Sequence, residues 1–270
     1  MCIRDRATPD SAGIPQRIRD EVLIAPFNDA EMAASLIKEH QDDLGGIIVE
    51  PFQRLLPPAP GFLETLRDLA SEYSIPLIFD EVVTGFRFAY GGAQAYYGVT
   101  PDICALGKLI GGGFPMAAIA AKEEFMVHFD KNAVADGEFM PQIGTLSGNP
   151  VAAVAGLATL NILKEPGIYD NLFTTGKRLM QGLESLLEDA GVEAQVIGEP
   201  PLFDVFFTSG ELKDYRGMQG NEADKAARFN AALREHGILK GDSKFYVSIA
   251  HDDADVEKTL EAFKIAVTAV

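Results

Sequence analysis

Residues 104–118 read CALGKLIGGGFPMAA, and Lys108 is their one charged side chain, set between Leu106 and Leu109 and ahead of Gly111, Gly112 and Gly113. A lysine on a solvated loop ordinarily has polar neighbours. The plain explanation is a snorkelling lysine at the end of a buried strand. The chemical one is an amine held in a dry site, where burial lowers its pKa and makes it a nucleophile towards carbonyls. Upstream, IPLIFDEVVTGFR (75–87) places Asp80 and Glu81 at the end of an apolar run, and GGIIVE (45–50) ends on Glu50 in the same way. In open α/β sheets, ligands bind outside the carboxyl ends of the strands. A carboxylate there is either a cap for the next helix or a counter-ion for a ligand cation. Val82, two residues after Asp80, can supply an apolar contact beside whatever Asp80 holds.

A reactive lysine, a strand-end aspartate and an apolar wall are what pyridoxal phosphate (PLP) requires. The lysine carries the aldehyde, the aspartate keeps the pyridine nitrogen protonated, and the apolar residue braces the ring. The phosphate needs backbone N–H groups, hydroxyls and a helix N-terminus. QIGTLSGNPVAA (142–153) offers Thr145, Ser147, Gly144, Gly148 and a helix start at Pro150. A polar loop before a well-capped helix explains the same residues.

The elements that must position these groups are legible from periodicity. Residues 45–50, 75–81, 101–107 and 116–121 form short apolar runs, and 60–73 carries Phe62, Leu66, Leu69 and Tyr73 at helical spacing. Strand–helix alternation with near-continuous apolar strands predicts an α/β fold with a mostly parallel sheet covered on both faces. Asn149-Pro150 predicts a capped helix start, and the small residues of VAAVAGLATLNIL predict close packing on a neighbour. Beyond Glu165-Pro166-Gly167 the pattern changes to a long helix with Leu172, Leu179, Leu183 and Leu186 on one side. Strands at 202–207 and 245–249 then flank a helix ended by Gly237, and a last helix aligns Val256, Leu260, Phe263 and Val267. Residues 1–164 are expected to form part of a large α/β domain and 165–270 a smaller α+β domain. The opening MCIRDR joins no pattern and is expected to be non-native.

The 270 residues carry 23 basic and 40 acidic side chains, a net charge of −17, which disfavours a nucleic-acid footprint. No apolar run approaches the roughly 18 residues of a membrane span, and no signal pattern opens the chain. With only Cys2 and Cys104 there is no disulfide framework; a cytoplasmic protein is expected. Lys108 lacks the glycine and hydroxyl neighbours of a P-loop, and 144–148 is off by one position from a G-x-S-x-G elbow. His40, His128, His236 and His251 show no ligand spacing.

FDEVVTGFR, YYGVTPDICALGKLIGGGFP and GTLSGNPVAAVAGLATL, in that order and spacing, resemble class III PLP-dependent aminotransferases. AYGGAQAYYGVTPD and GTLSGNP are similar to the glutamate-1-semialdehyde aminomutase branch. The resemblance runs from about Val22 to the C-terminus. It implies the C-terminal part of a PLP-dependent transferase fold, with Lys108 as the Schiff-base lysine and Asp80 as the pyridinium partner. By the same resemblance Val82 packs on the ring, Glu50 borders the site, and Thr145 binds the phosphate of the partner subunit in a homodimer. Val83 stands where many members have a glutamine. The implied partners are a small amino donor and a carbonyl acceptor. An aminotransferase is the first expectation. The alternative is the aminomutase, although EPFQRLLPPAPGF (50–62) lacks that branch's Gly-Asn-Met phrase. Members carry a further N-terminal portion with an aromatic ring platform and a phosphate loop, neither of which is found in residues 1–44. A catalytically incompetent domain is therefore the third expectation. Arg54 and Arg87 are candidates for binding a substrate carboxylate.

Overall fold

The computed structural model describes residues 3–4, 8–9 and 11–270. Strands β1 (Ile3–Arg4) and β2 (Thr8–Pro9) pair antiparallel; apart from the backbone of Ile3–Arg4, the expectation about MCIRDR lies outside the described residues. Helix α1 (Gln16–Asp20) is short and buries nothing. Helix α2 (Ala30–His40) starts where the Asp29 side chain accepts from Met32 N. This N-cap satisfies one of the unpaired donors of the first turn.

Strand β3 (Ile47–Val49), helix α3 (Phe62–Glu72), strand β4 (Leu77–Glu81), helix α4 (Gly92–Tyr97) and strand β5 (Ile103–Leu106) follow in alternation. A 3₁₀ turn over Lys108–Gly111 leads to β6 (Ala118–Ala121), then to α5 (Glu123–Met126). The sheet order is β3-β4-β5-β6, with β3, β4 and β5 parallel and β6 antiparallel to β5. A parallel partner needs a crossover of about a dozen residues or more, usually through a helix. The link from β5 to β6 is a glycine-rich turn, so the chain folds straight back.

One face of this sheet is packed. Leu77 and Phe79 of β4 are fully buried with Phe62, Leu63, Leu66 and Leu69 of α3 and with Ala33 and Ile37 of α2. The opposite face carries Ile48, Ile78, Asp80 and Ala105, cross-strand neighbours by register. There Ile48 is 69% exposed and Ile119, opposite Ala105, is also exposed. Cover on both faces, expected from the apolar strands, is therefore present on one face among the described residues.

Helix α6 (Pro150–Leu163) begins as expected, with the Asn149 side chain accepting from Val151 N and Ala152 N. Helix α7 (Ile168–Asp189) buries Leu172, Leu179, Leu183 and Leu187; Leu187 takes the fully buried place expected for Leu186, which packs at the margin. Strand β7 (Gln195–Glu199), unforeseen in sequence, pairs antiparallel with β8 (Leu202–Phe206). Its glycine explains both facts. Gly198 has φ +126°, and a Cβ there would collide with Leu202 O. A glycine in a strand interior marks close backbone approach and breaks the alternation by which strands are read. Short α8 (Tyr215–Met218) and α9 (Ala223–Glu235) lead to β9 (Phe245–Tyr246), shorter than the expected 245–249. Gly237 follows α9 in the left-handed conformation, as a C′ glycine should. Helix α10 (Asp253–Val267) opens with a capping box between Asp252 and Asp255. Helices α7, α9 and α10 close one apolar core on β8 and β9, with Phe203, Phe207, Phe229 and Phe263 fully buried.

Candidate active site

Because β3, β4 and β5 run parallel, their carboxyl ends share one edge. Val49 lies beside Phe79, Asp80 beside Ala105, and Glu81 beside Leu106. Glu50, one residue past β3, Asp80 and Val82 at the end of β4, and Lys108, two residues past β5, therefore collect at one edge from three strands. The electrostatics agree. Burial, and then the Asp80 charge, push the Glu50 carboxyl above the usual range, against Lys244 and the Arg54 backbone N–H.

Alternation along β4 separates the two acids that stand together in sequence. Glu81 points to the packed face, is fully buried, and accepts from Ala93 N, Gln94 N, Gln94 Nε2 and Thr84 Oγ1. It is the cap of α4. Asp80 points to the open face, with Oδ1 accepting from Val82 N at 3.0 Å. Its second oxygen has no hydrogen-bond partner among the described residues.

Lys108 is exposed, so the described residues do not provide the dry setting expected of it. Ile48 and Ile119, on the open face of the same sheet, are exposed as well. The backbone is nevertheless unusual, since Lys108 has φ 49°. This left-handed conformation costs about 1–2 kcal/mol for a residue with a Cβ. The turn is held from below. Gly112 and Gly156 let the turn and α6 meet backbone to backbone; a Cβ on the first would collide with Ala155 O and on the second with Ile110 O. This is the neighbour foreseen for the small residues of α6. Gly107 plays a similar part towards Val82, whose Cγ1 would stand 3.2 Å from a Cβ there. Thr145 lies in an exposed turn before α6, and no contact among the described residues joins it to Lys108 or Asp80.

Sequence reasoning missed Lys244 and Tyr246. Both come from the β9 hairpin, far along the chain from Lys108, and no local pattern marks them. Burial lowers the Lys244 pKa; Glu50 opposes this, and Arg54, Lys108 and Arg87 reinforce it. The Arg87 guanidinium lies 4.8 Å from the centre of the Tyr246 ring, while its Nε donates to Val83 O at 2.8 Å. Arg54, also in the left-handed region, reaches over Tyr215 at 5.4 Å. On the packed face Cys104 is buried, and burial, with the charges of Glu81 and Asp80, pushes its thiol to about 12. Three of the four histidines are tied to backbone: His236 Nδ1 lies 2.8 Å from Ala232 O, His128 Nδ1 lies 3.0 Å from Glu138 O, and His251 Nδ1 accepts from Ser248 N. Among the described residues no group of three His, Cys, Asp or Glu side chains could hold a metal ion.

The model of a family described as Aminotransferase class-III matches residues 9–267. The chain belongs to the class III aminotransferase family. It is 39% identical over 259 residues to a glutamate-1-semialdehyde 2,1-aminomutase of Natranaerobius thermophilus, an alignment covering 94% of this chain and 59% of that protein. An omega-transaminase from Sphaerobacter thermophilus superposes with a TM-score of 0.91 at 37% identity, over 97% of this chain and 60% of that one. A transaminase solved with PLP bound superposes at 0.85 and 27% identity, over 96% of this chain and 60% of that one. The chain thus spans about three fifths of the length of these relatives.

Proposed function

We propose that the protein moves an amino group between an amine or amino acid and a carbonyl acceptor, with pyridoxal phosphate as cofactor. The observation that carries this reading is the convergence of Glu50, Asp80, Val82 and Lys108 at the carboxyl edge of three parallel strands, in a chain of this family.

The residues fit the cofactor. Asp80 is steadied at one oxygen by Val82 N and leaves the other for a ligand cation. Val82 stands against a glycine that keeps the strand end clear, and Lys108 offers an accessible amine. When bound, PLP supplies an aldehyde that takes amines covalently and a ring that accepts an electron pair. Lys108 Nζ would hold the cofactor and, once displaced by an incoming amine, take the proton from the substrate carbon. Asp80 would keep the proton on the pyridine nitrogen, and Val82 would brace the ring face. Thr145 would donate its hydroxyl to the phosphate of a second subunit. Helix α6 turns apolar side chains outwards, Val154 at 69% and Leu157 at 61% exposure. An exposed apolar face of this kind supports a homodimer.

A second reading is intramolecular transfer, as in the aminomutase named above, supported by the 39% identity. Both readings use the same residues. Turnover of an amino donor by full-length protein, with and without an added keto acid, tests them. Dependence on the keto acid supports an aminotransferase; turnover of an amino aldehyde without any acceptor supports the aminomutase; neither activity overturns both.

A further inference from the structure

Glu81 is bound more heavily than a helix cap requires. Its side chain is fully buried, with Thr84 beside it at 1% exposure. A buried carboxylate is costly unless it is paired or fully hydrogen-bonded. Among the described residues no cation pairs with Glu81. Four donors answer it instead: Thr84 Oγ1 at 3.0 Å, Ala93 N at 2.5 Å, Gln94 N at 3.2 Å and Gln94 Nε2 at 3.1 Å. Four bonds fill the acceptor sites of a carboxylate. They come from both ends of the loop 82–92, whose start is also held by Gly85 N donating to Glu81 O at 2.9 Å. At its end Gly92 has φ +74°, and a Cβ there would stand 2.5 Å from Glu81 Oε2, so the loop closes against the carboxylate itself.

A cap for α4 alone could come from the residue at the helix start, as Asn149 provides for α6. The N-cap of α4 is instead Gly91, which makes no side-chain bond. The acceptor arrives from 12 residues before Ala93, and it stands between Asp80 and Val82. Consecutive peptide planes are rigid and share a Cα, so pinning both the side chain and the carbonyl of Glu81 leaves Val82 N–H little freedom. That N–H donates to Asp80 Oδ1 at 3.0 Å, and the Val82 side chain faces Gly107, next to Lys108.

We propose that Glu81 is a positioning residue for the cofactor: from the packed face of the sheet it fixes the place of Val82 and the aim of the Asp80 carboxyl on the open face. This deepens the proposed aminotransferase function and rests on it for the identity of the cofactor. Burial is what makes the device stiff. Hydrogen bonds in a dry site are stronger than in water and have no solvent to exchange with. A loop tied to a sealed carboxylate therefore keeps its place whether the open face is filled or empty.

The test uses full-length protein, with PLP affinity measured by titrating the cofactor-free form well below its unfolding temperature. Glu81→Gln keeps size and puts an amide NH2 where the donors converge. PLP affinity should fall about tenfold to hundredfold, the range for displacing a reacting group by about an ångström. At saturating PLP, kcat should fall in parallel. Thr84→Val removes a single bond and keeps shape; it should give a smaller loss of the same kind, absent in Thr84→Ser. A residue serving only as a cap would lower the urea midpoint and leave PLP affinity and kcat alone. That result in Glu81→Gln overturns the inference and leaves the aminotransferase reading standing, because Asp80 and Lys108 are unaltered. Should Glu81→Gln fail to fold, Thr84→Val against Thr84→Ser decides by the same two measurements. Unaltered protein that takes up no PLP counts against the proposed function itself, and the inference falls with it.

Discussion

Lys108 and Asp80 have separable expectations. Borohydride reduction of the PLP-loaded protein should leave a pyridoxyl mass on the peptide containing Lys108, and Lys108→Ala should lose it. A label confined to surface lysines such as Lys177 or Lys258 would remove Lys108 from its role. Asp80→Asn keeps size and the contact to Val82 N but loses the charge, and should slow turnover by on the order of a hundredfold; near-normal rates would make Asp80 a structural residue only. What sequence offered at this scale was uneven. The Asp80-Glu81 pair was visible, but its two members had no separate meaning until β4 turned them to opposite faces, with Glu81 capping α4. Lys244 and Tyr246 were invisible, because their place depends on a hairpin arriving from the far end of the chain.

The elements are held in place by devices of graded visibility. Asp102, 6% exposed, accepts from Leu77 N and Arg67 Nη1 at 2.8 Å each and pairs with Lys122, joining α3, β4, β5 and the end of β6. Burial raises its pKa, but Leu77 N–H, Lys122 and Arg67 outweigh it and hold the carboxyl below the usual range. Its folded pKa is depressed, so its stabilisation is complete above the unfolded value of about 3.9 and is lost as pH falls through the folded value. Asp102→Asn should cost about 2 kcal/mol in urea unfolding at pH 7 and flatten the acid limb of the stability profile. An unchanged limb would show that the network is idle. Gly156→Ala puts a methyl where Ile110 O stands. It should cost about 1–3 kcal/mol, with PLP affinity falling as the Lys108 turn shifts. Helices and strands were legible from spacing and caps. The contact between α6 and the turn was foreseen as close packing without its partner, since small residues announce proximity and not identity.

At the scale of the molecule the fold was readable as α/β because short apolar runs alternate with helical patterns, while the antiparallel return of β6 was not. The outward side of α6 and its approach loop, where Ile143 is 87% exposed, predict self-association. Val154→Asp combined with Leu157→Lys should convert a dimer to a monomer in light scattering with helix content preserved. Unaltered mass would place the subunit contact elsewhere. Cys104 adds a different use of the same architecture. Its thiol is sealed on the packed face between Phe79 and Ala120 and kept protonated. An alkylating reagent can therefore reach it only when neighbouring strands part. The sheet carries its own stopwatch: the modification rate of that one sulfur counts how often β4, β5 and β6 breathe. A ligand spanning Asp80 and Lys108 should slow the count, because it ties two of those strands together from the opposite face.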